Sequence, residues 1–183
     1  MDVTLPLADD MIAALRVGDQ VELTGVLYTA RDAAHQRMVA ALAAGEPLPL
    51  DVRGQVFYYV GPTPARPGQV IGSAGPTTAM RMDPFTIPLL ERGLKGMIGK
   101  GNRGPEVREA LQRCRAVYFM TPGGIGALLS KYIRSVQVAA YEDLGAEAIR
   151  RLTVENFPVI VANDIRGGDL FEHGKALYRL SAD

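Results

Sequence analysis

The sequence predicts an α/β fold in which a mixed sheet is flanked by helices. In the second half of the chain, short apolar strands alternate with helical segments, and this alternation is typical of that class. Of the 183 residues, 48% are hydrophobic and 22% are charged, a balance that indicates a soluble globule rather than a disordered chain. At roughly 100–200 residues per domain, we expect residues 1–183 to form a single domain.

The first half is rich in strand signals. Residues 20–28 (QVELTGVLY) alternate apolar and polar positions and contain β-branched side chains, which indicates a strand. The Ala-rich stretch 32–44 is predicted to be a helix, with Asp32 near its positive end and Gly45 as its stop. Two further strands are predicted on either side of the turn GPTPARPG, at residues 55–60 and 69–74.

The second half contains the alternating elements. Pro105 suits the first position of a helix, whereas Pro88 is compatible only with a first turn. Helical segments are predicted at residues 86–92, 105–114, 125–133, 146–150 and 170–178. Strands are predicted at residues 96–99, 116–120, 136–141, 151–155 and 158–162.

Charge and hydropathy exclude several classes of protein. Lys plus Arg and Asp plus Glu each number 20, so the net basic field that nucleic-acid and membrane-surface binding require is absent. The sequence contains no apolar run near the roughly 18 residues of a membrane span. The N-terminal stretch carries early acids and no basic region, unlike a secretory signal, and we expect a cytoplasmic protein.

Metal and nucleotide sites are not predicted within this chain. Cys114 is the only cysteine, so an internal disulfide, an iron–sulfur cluster or a zinc site built from this chain alone is excluded. We expect Cys114 to be a core residue rather than a nucleophile. GMIGKG lacks the spacing and the Ser or Thr of a phosphate-binding loop, and Leu129 occupies the third glycine position of a dinucleotide turn.

Three loops that follow predicted strands carry cations. They contribute Arg31, Thr77 together with Arg81, and Lys100. Ligands of α/β sheets bind at strand ends, and two guanidiniums plus an ammonium suit a small dicarboxylate. The same pattern equally fits three unrelated surface cations, and spacing alone does not separate these alternatives.

His35 follows Arg31 by four residues. If both lie in one helix, their side chains share a face one turn apart, and the imidazole could carry a proton near neutral pH. The more common role of such a histidine is packing or capping.

Several ordered motifs resemble the β subunit of the two-subunit class I fumarases and the related L-tartrate dehydratase β subunit. The motifs are TARDAAHQR at 29–37, GPTTAMRMD at 75–83, MIGKGNRG at 97–104, AYEDLGAEAI at 140–149 and the ending ENFPVIVANDIRGGDLF. The resemblance extends over nearly the whole chain. The residues of the AYEDLGAEAI motif predict no chemical role. The one interpretation left for the motif is a surface that faces a partner.

This resemblance implies a swivelling β/β/α domain and a partner α subunit whose cysteines hold a four-iron–four-sulfur cluster. The active site would lie between the two subunits. By the same resemblance, Arg31, Arg81 and Lys100 would hold the substrate carboxylates, and Thr77 would take a proton from the carbon next to a carboxylate. Such a threonine requires Arg31 or Arg81 to stabilise its alkoxide. His35 is a candidate proton carrier, with a histidine of the partner as the alternative.

The expected function is that of one half of a hydro-lyase that reversibly hydrates fumarate to (S)-malate, a tricarboxylic acid cycle reaction. The expected assembly is a hetero-oligomer with the α subunit, with a homodimer of the isolated chain as an alternative. Two other functions remain open: an L-tartrate dehydratase β subunit, and a non-catalytic carboxylate-binding or structural subunit.

Overall fold

A seven-stranded mixed sheet with helices packed against it forms the framework of the computed structural model, which describes residues 1–179. The strands are β1 (Asp2–Thr4), β2 (Gln20–Thr29), β3 (Val56–Tyr58), β4 (Gly96–Gly99), β5 (Val117–Met120), β6 (Ile133–Ala140) and β7 (Ile149–Asn163). The helices are α1 (Asp9–Ala14), α2 (Asp32–Ala43), α3 (Asp83–Glu91), α4 (Pro105–Arg113), α5 (Gly126–Leu129) and α6 (Leu170–Tyr178). The predicted α/β class is therefore confirmed.

The strand pairings close part of the sheet into a ring. Strands β1 to β5 run parallel to one another in sequence order. The long strand β7 is antiparallel to β5 along one edge and to β2 along the other, so β2, β3, β4, β5 and β7 form a closed circuit. Strand β6 pairs with β7 outside this circuit.

Two hydrophobic clusters lie on opposite faces of the ring strands. Val56 and Tyr58 of β3 belong to a cluster that draws on all five ring strands and fills the interior. Phe57 and Tyr59, which alternate with them, belong to a second cluster that also contains residues of α2, α3 and α4. This alternation follows from the period of two in a strand, and it packs the helices on the outside of the ring.

Some predicted elements differ from the structure. Residues 69–74 form an irregular loop instead of a strand. Helix α3 begins at Asp83, directly after a 3₁₀ turn (Ala79–Met82), so Pro88 lies inside the helix instead of in its first turn. The carbonyl that Pro88 leaves without a helical partner belongs to Pro84, which is exposed to solvent.

Other differences concern element length. The helix predicted at 125–133 is only α5 followed by a 3₁₀ turn (Ser130–Tyr132). The helical turn predicted at 146–150 lies earlier, at Glu142–Glu147. The two strands predicted at 151–155 and 158–162 are one strand, β7, which continues through Asn156 with a positive φ of 53°. The sequence did not predict β1 or α1. Within the described residues, none of the helices is long and apolar enough to cross a membrane.

Candidate functional site

The carboxyl ends of parallel strands β2, β3, β4 and β5 meet at one edge of the sheet, where the predicted site residues lie. Arg31 follows the end of β2, and Lys100 follows the end of β4. The backbone amide of Thr77 donates a hydrogen bond to the carbonyl of Tyr59 (2.6 Å), and the amide of Lys100 donates to the carbonyl of Thr77 (3.0 Å). Thr77 is therefore held between the ends of β3 and β4.

Arg31 and Arg81, which are 50 residues apart in the chain, meet at a shared carboxylate. Arg81 Nε donates to Asp32 Oδ1 (2.9 Å), and Arg31 Nη2 lies 3.3 Å from Asp32 Oδ2. Burial raises the pKa of Asp32, but the hydrogen bond from its own backbone amide and the charges of Arg81 and Arg31 outweigh burial. The pKa of Asp32 is therefore below its ordinary value, and the side chain is an anion at neutral pH.

The guanidinium of Arg31 lies in a narrow space. Its Nη2 is 3.4 Å from a second carboxylate oxygen, Glu147 Oε1. A Cβ at Gly61 would lie only 2.9 Å from Arg31 Nη1, so a side chain at this position would displace the guanidinium. The side chain of Arg31 is 22% exposed, whereas that of Arg81 is 52% exposed. Arg31 is thus the more constrained of the two cations.

Lys100 lies beside the loop that follows β5. A Cβ at Gly123 would lie 3.6 Å from Lys100 Nζ, so the ammonium group lies beside the backbone of this glycine. Among residues 1–179, no hydrogen bond or ion pair engages this ammonium. The hydroxyl of Thr121, in the same loop, is buried and without a partner in that range. Sequence patterns did not predict a functional role for this loop, and its glycine pair was the available signal.

His35 is completely buried beneath this edge. Its Nδ1 lies 2.9 Å from the carbonyl of Arg31, while Nε2 has no hydrogen-bond partner within the described residues. The ring packs edge-on against Phe57 and Tyr59. Burial, opposed by the hydrogen bond to Arg31, lowers the pKa of His35 to about 4. The imidazole is therefore neutral at pH 7.

Arg31 and His35 do not form the helical pair that their spacing allowed. Arg31 is the N-cap of α2, with an extended backbone (φ −122°, ψ −165°), so its side chain leaves the helix in a different direction. The structure places all four residues at this edge as two pairs: Arg31 and Arg81 meet at Asp32, and Thr77 and Lys100 are joined through their backbones. The imidazole of His35 lies buried beside the carbonyl of Arg31. A proton-carrying role for His35 stays a prediction.

Arg103, for which sequence patterns predicted no role, lies buried beneath this edge of the sheet. Its fully buried guanidinium donates to Asp83 Oδ1 (2.6 Å), to the hydroxyl of Thr86 (2.6 Å) and to the hydroxyl of Tyr59 (3.1 Å). It also lies 5.3 Å from the ring centroid of Tyr118. Arg103 thereby ties α3 to the loop after β4, and its position in the motif MIGKGNRG was the only sequence signal.

A family model described as Fumarase C-terminus matches residues 1–174 of this chain. The chain belongs to this family. The matched range includes the four residues gathered at the strand ends and His35.

Similar proteins include both fumarases and a tartrate dehydratase. The mitochondrial fumarate hydratase 1 of Leishmania major is 42% identical over 85% of this chain and 29% of its own length. The anaerobic class I fumarate hydratase of Escherichia coli K12 is 34% identical over 94% of this chain and 32% of its own length. The L(+)-tartrate dehydratase subunit beta of the same strain is 32% identical over 96% of this chain and 89% of its own length. The chain thus spans about a third of these two fumarate hydratases.

The residues of this Fumarase C-terminus chain do not fit an iron–sulfur cluster. Cys114, the only cysteine, caps the end of α4 and packs against the outer hydrophobic cluster, away from Arg31 and Lys100. Within residues 1–179, no group of three or more His, Cys, Asp or Glu side chains is arranged to hold a metal ion. What this chain offers at the strand ends is a set of cations and a hydroxyl, which suits an anionic ligand.

Proposed function

We propose that this chain is the β subunit of a two-subunit hydro-lyase that reversibly hydrates fumarate to (S)-malate. The observation that supports the proposal most directly is the convergence of Arg31, Thr77, Arg81 and Lys100 at one edge of the sheet. The names of the relatives support the reaction class, and the β-subunit relative supports a two-chain assembly.

The two arginines and Lys100 would bind the two carboxylates of the substrate. Among the described residues, the Arg81 side chain donates only through Nε, to Asp32, so its two terminal nitrogens would form a bidentate contact with a carboxylate. Lys100 would add a compact positive charge beside the Gly123 backbone. Because Asp32 fixes both arginines before a substrate arrives, the cations need little reorganisation on binding.

The same cations would lower the barrier to the reaction. Converting malate to fumarate removes a proton from the carbon next to a carboxylate, and negative charge builds up on that carboxylate in the transition state. A fixed donor aimed at this developing charge contributes about 3 kcal/mol, or roughly a hundredfold in rate. We propose that Thr77 accepts the proton, with the guanidinium of Arg31 or Arg81 stabilising its alkoxide.

We further propose that the four-iron–four-sulfur cluster expected of this enzyme class belongs to the partner α subunit. When bound there, the cluster would supply Lewis-acid chemistry toward the hydroxyl that leaves. This chain would contribute the binding and orientation of the carboxylates and the movement of the proton at Thr77.

The test is co-purification with an α subunit under anaerobic conditions with iron and sulfide, followed by assays with fumarate, malate and tartrate. We expect fumarate hydration by the complex and none by the chain alone. Arg81→Ala should lower kcat/KM about a hundredfold, the loss expected for one such donor. Arg134→Ala is the matched control, because that arginine pairs with Glu155 on β6 and β7 at a distance from the site along the sheet. A single chain that hydrated fumarate would refute the split-site proposal.

A second candidate function is that of an L-tartrate dehydratase β subunit. The observation in its favour is similarity, because the L(+)-tartrate dehydratase subunit beta of E. coli K12 is 32% identical over 96% of this chain. Turnover of tartrate without turnover of fumarate would select it. If Arg81→Ala left all turnover unchanged, a non-catalytic role would be the better description.

A further inference from the structure

The motif AYEDLGAEAI is folded against Arg31. Residues 141–148, here termed the brace segment, lie between β6 and β7 and form a 3₁₀ turn at Glu142–Glu147. We propose that the brace segment positions Arg31 for carboxylate binding and that Glu147 is its positioning residue. This inference rests on the proposed function and adds a residue to it.

The two carboxylate oxygens of Glu147 make separate contacts, one with the backbone amide of Ala33 and one with the guanidinium of Arg31. Oε2 accepts a hydrogen bond from the backbone amide of Ala33 (2.9 Å), one of the amides that the start of α2 leaves without a helical partner. Oε1 lies 3.4 Å from Arg31 Nη2. One carboxylate therefore caps the helix and holds the guanidinium of its N-cap residue.

The brace segment is itself fixed at several points. Arg37 of α2 forms two hydrogen bonds with Asp143 (2.9 and 2.7 Å) and lies over the ring of Tyr141 at 4.7 Å. Arg150 donates to the carbonyl of Gly145 (2.7 Å). The hydroxyl of Thr29, at the end of β2, donates to the carbonyl of Ala148 (3.1 Å). The segment that carries Glu147 is thus anchored to α2, β2 and β7.

Arg31 needs a second carboxylate partner because Asp32 is shared between Arg31 and Arg81. Asp32 contacts Arg31 through Oδ2 and Arg81 through Oδ1. Among residues 1–179, Arg31 without Glu147 would retain only Asp32 as a carboxylate partner. Its guanidinium would lose its contact with the brace segment, whose Ala146 carbonyl lies beside Gly61 as Arg31 Nη1 does. Glu147 therefore sets the separation of the two guanidiniums, and that separation determines how well a dicarboxylate spans them.

The test compares Glu147→Gln with Glu147→Ala in the complex. Glutamine keeps an oxygen for the Ala33 amide but removes the charge that attracts Arg31, whereas alanine removes both contacts. For Glu147→Gln we expect an unchanged melting temperature and a KM for the dicarboxylate raised roughly tenfold, the size of one charge-assisted contact, with a much smaller change in kcat. Glu147→Ala should show the same KM effect together with a lower melting temperature.

Glu155→Gln is the matched control, since it makes the same change at a carboxylate that pairs with Arg134 and lies outside the brace segment. It should retain the wild-type KM. The decisive comparison is Glu147→Gln in an Arg31→Ala background: if Glu147 acts through Arg31, the second substitution should change nothing further. An equal loss in both backgrounds, or a wild-type KM for Glu147→Gln, would overturn the inference.

Crystal structures of the wild-type chain and of Glu147→Gln test the inference independently of activity. We expect the guanidinium of Arg31 to move away from Gly61 in the variant while the backbone of α2 stays in place. An unmoved guanidinium would refute the role of Glu147 even if the complex hydrated fumarate. A displaced guanidinium in a chain whose complex turned over no dicarboxylate would refute the proposed function and leave the positioning contact standing.

Discussion

The burial of His35 makes the stability of the protein depend on pH. Its pKa is about 4 in the folded chain and about 6.5 in an unfolded one, so between these values only the unfolded state binds the proton. The free energy of unfolding therefore falls as the pH drops through this window. Between pH 7.5 and pH 5, His35 should account for a loss of about 2 kcal/mol.

Urea unfolding at these two pH values measures this loss. His35→Met removes the titrating group, so its stability should fall less than that of the wild-type protein on going to pH 5. His173→Gln is the matched control, because His173 is the other histidine and lies exposed on α6; it should keep the wild-type difference. If His35→Met showed the same acid loss as the wild-type protein, the buried neutral imidazole would not be its source.

At the level of single residues, the sequence identified the cations of the site but not the anions that arrange them. Arg31 and Lys100 are recognisable because each follows an apolar strand, and strand ends share an edge. The role of Asp32 depends on the approach of Arg81 across 49 residues, and that of Glu147 on a contact across 114 residues. Local patterns carry no information about such distances, so these partners required the fold.

Among the elements, the connection between α3 and the loop after β4 contains a buried ion pair, formed by Arg103 and Asp83. Arg103 is fully buried, and Asp83 at the start of α3 is only 16% exposed. Removing one partner of a buried pair leaves the other charge uncompensated, at a cost of about 3–5 kcal/mol. Arg103→Met should therefore lower the free energy of unfolding by that amount.

Urea denaturation of the chain alone tests this prediction. Arg113→Met is the matched control, because Arg113 pairs with Glu91 of α3 while both side chains are more than half exposed. Its cost should stay within about 1 kcal/mol, as is usual for surface pairs. Equal effects of the two substitutions would mean that the Arg103 network does not stabilise α3.

The elements that were predicted well have strong local signals, and the others depend on tertiary contacts. Strand β4 and helix α6 lie at their predicted bounds, and α2 and α4 differ by one residue at their ends. Residues 69–74 carry a strand-like pattern, but no neighbouring strand pairs with them, and their backbone remains irregular. Strand β7 continues through Asn156 because β2 pairs with it on both sides of that residue.

For the molecule as a whole, the ring links the site to both hydrophobic clusters. Strands β2 and β4, which precede Arg31 and Lys100, also contribute residues to the ring that separates the inner cluster from the outer cluster. Asn163 and Ile160 of β7 complete the circuit by pairing with β5, and β7 also pairs with β2. The sequence could indicate a mixed sheet, but the closure depends on which strands β7 reaches.

Because the two clusters share their strands, we expect them to unfold together. Leu23 belongs to the inner cluster and Leu111 to the outer cluster, and both are completely buried. Each Leu→Ala substitution should cost about 2–5 kcal/mol. For each variant, the urea midpoint recorded by far-UV circular dichroism and the one recorded by near-UV circular dichroism should shift by the same amount, since a cooperative unit has one transition. The seven tyrosines, in a chain without tryptophan, supply the near-UV signal. If Leu111→Ala shifted only one midpoint, the helices would unfold separately from the ring.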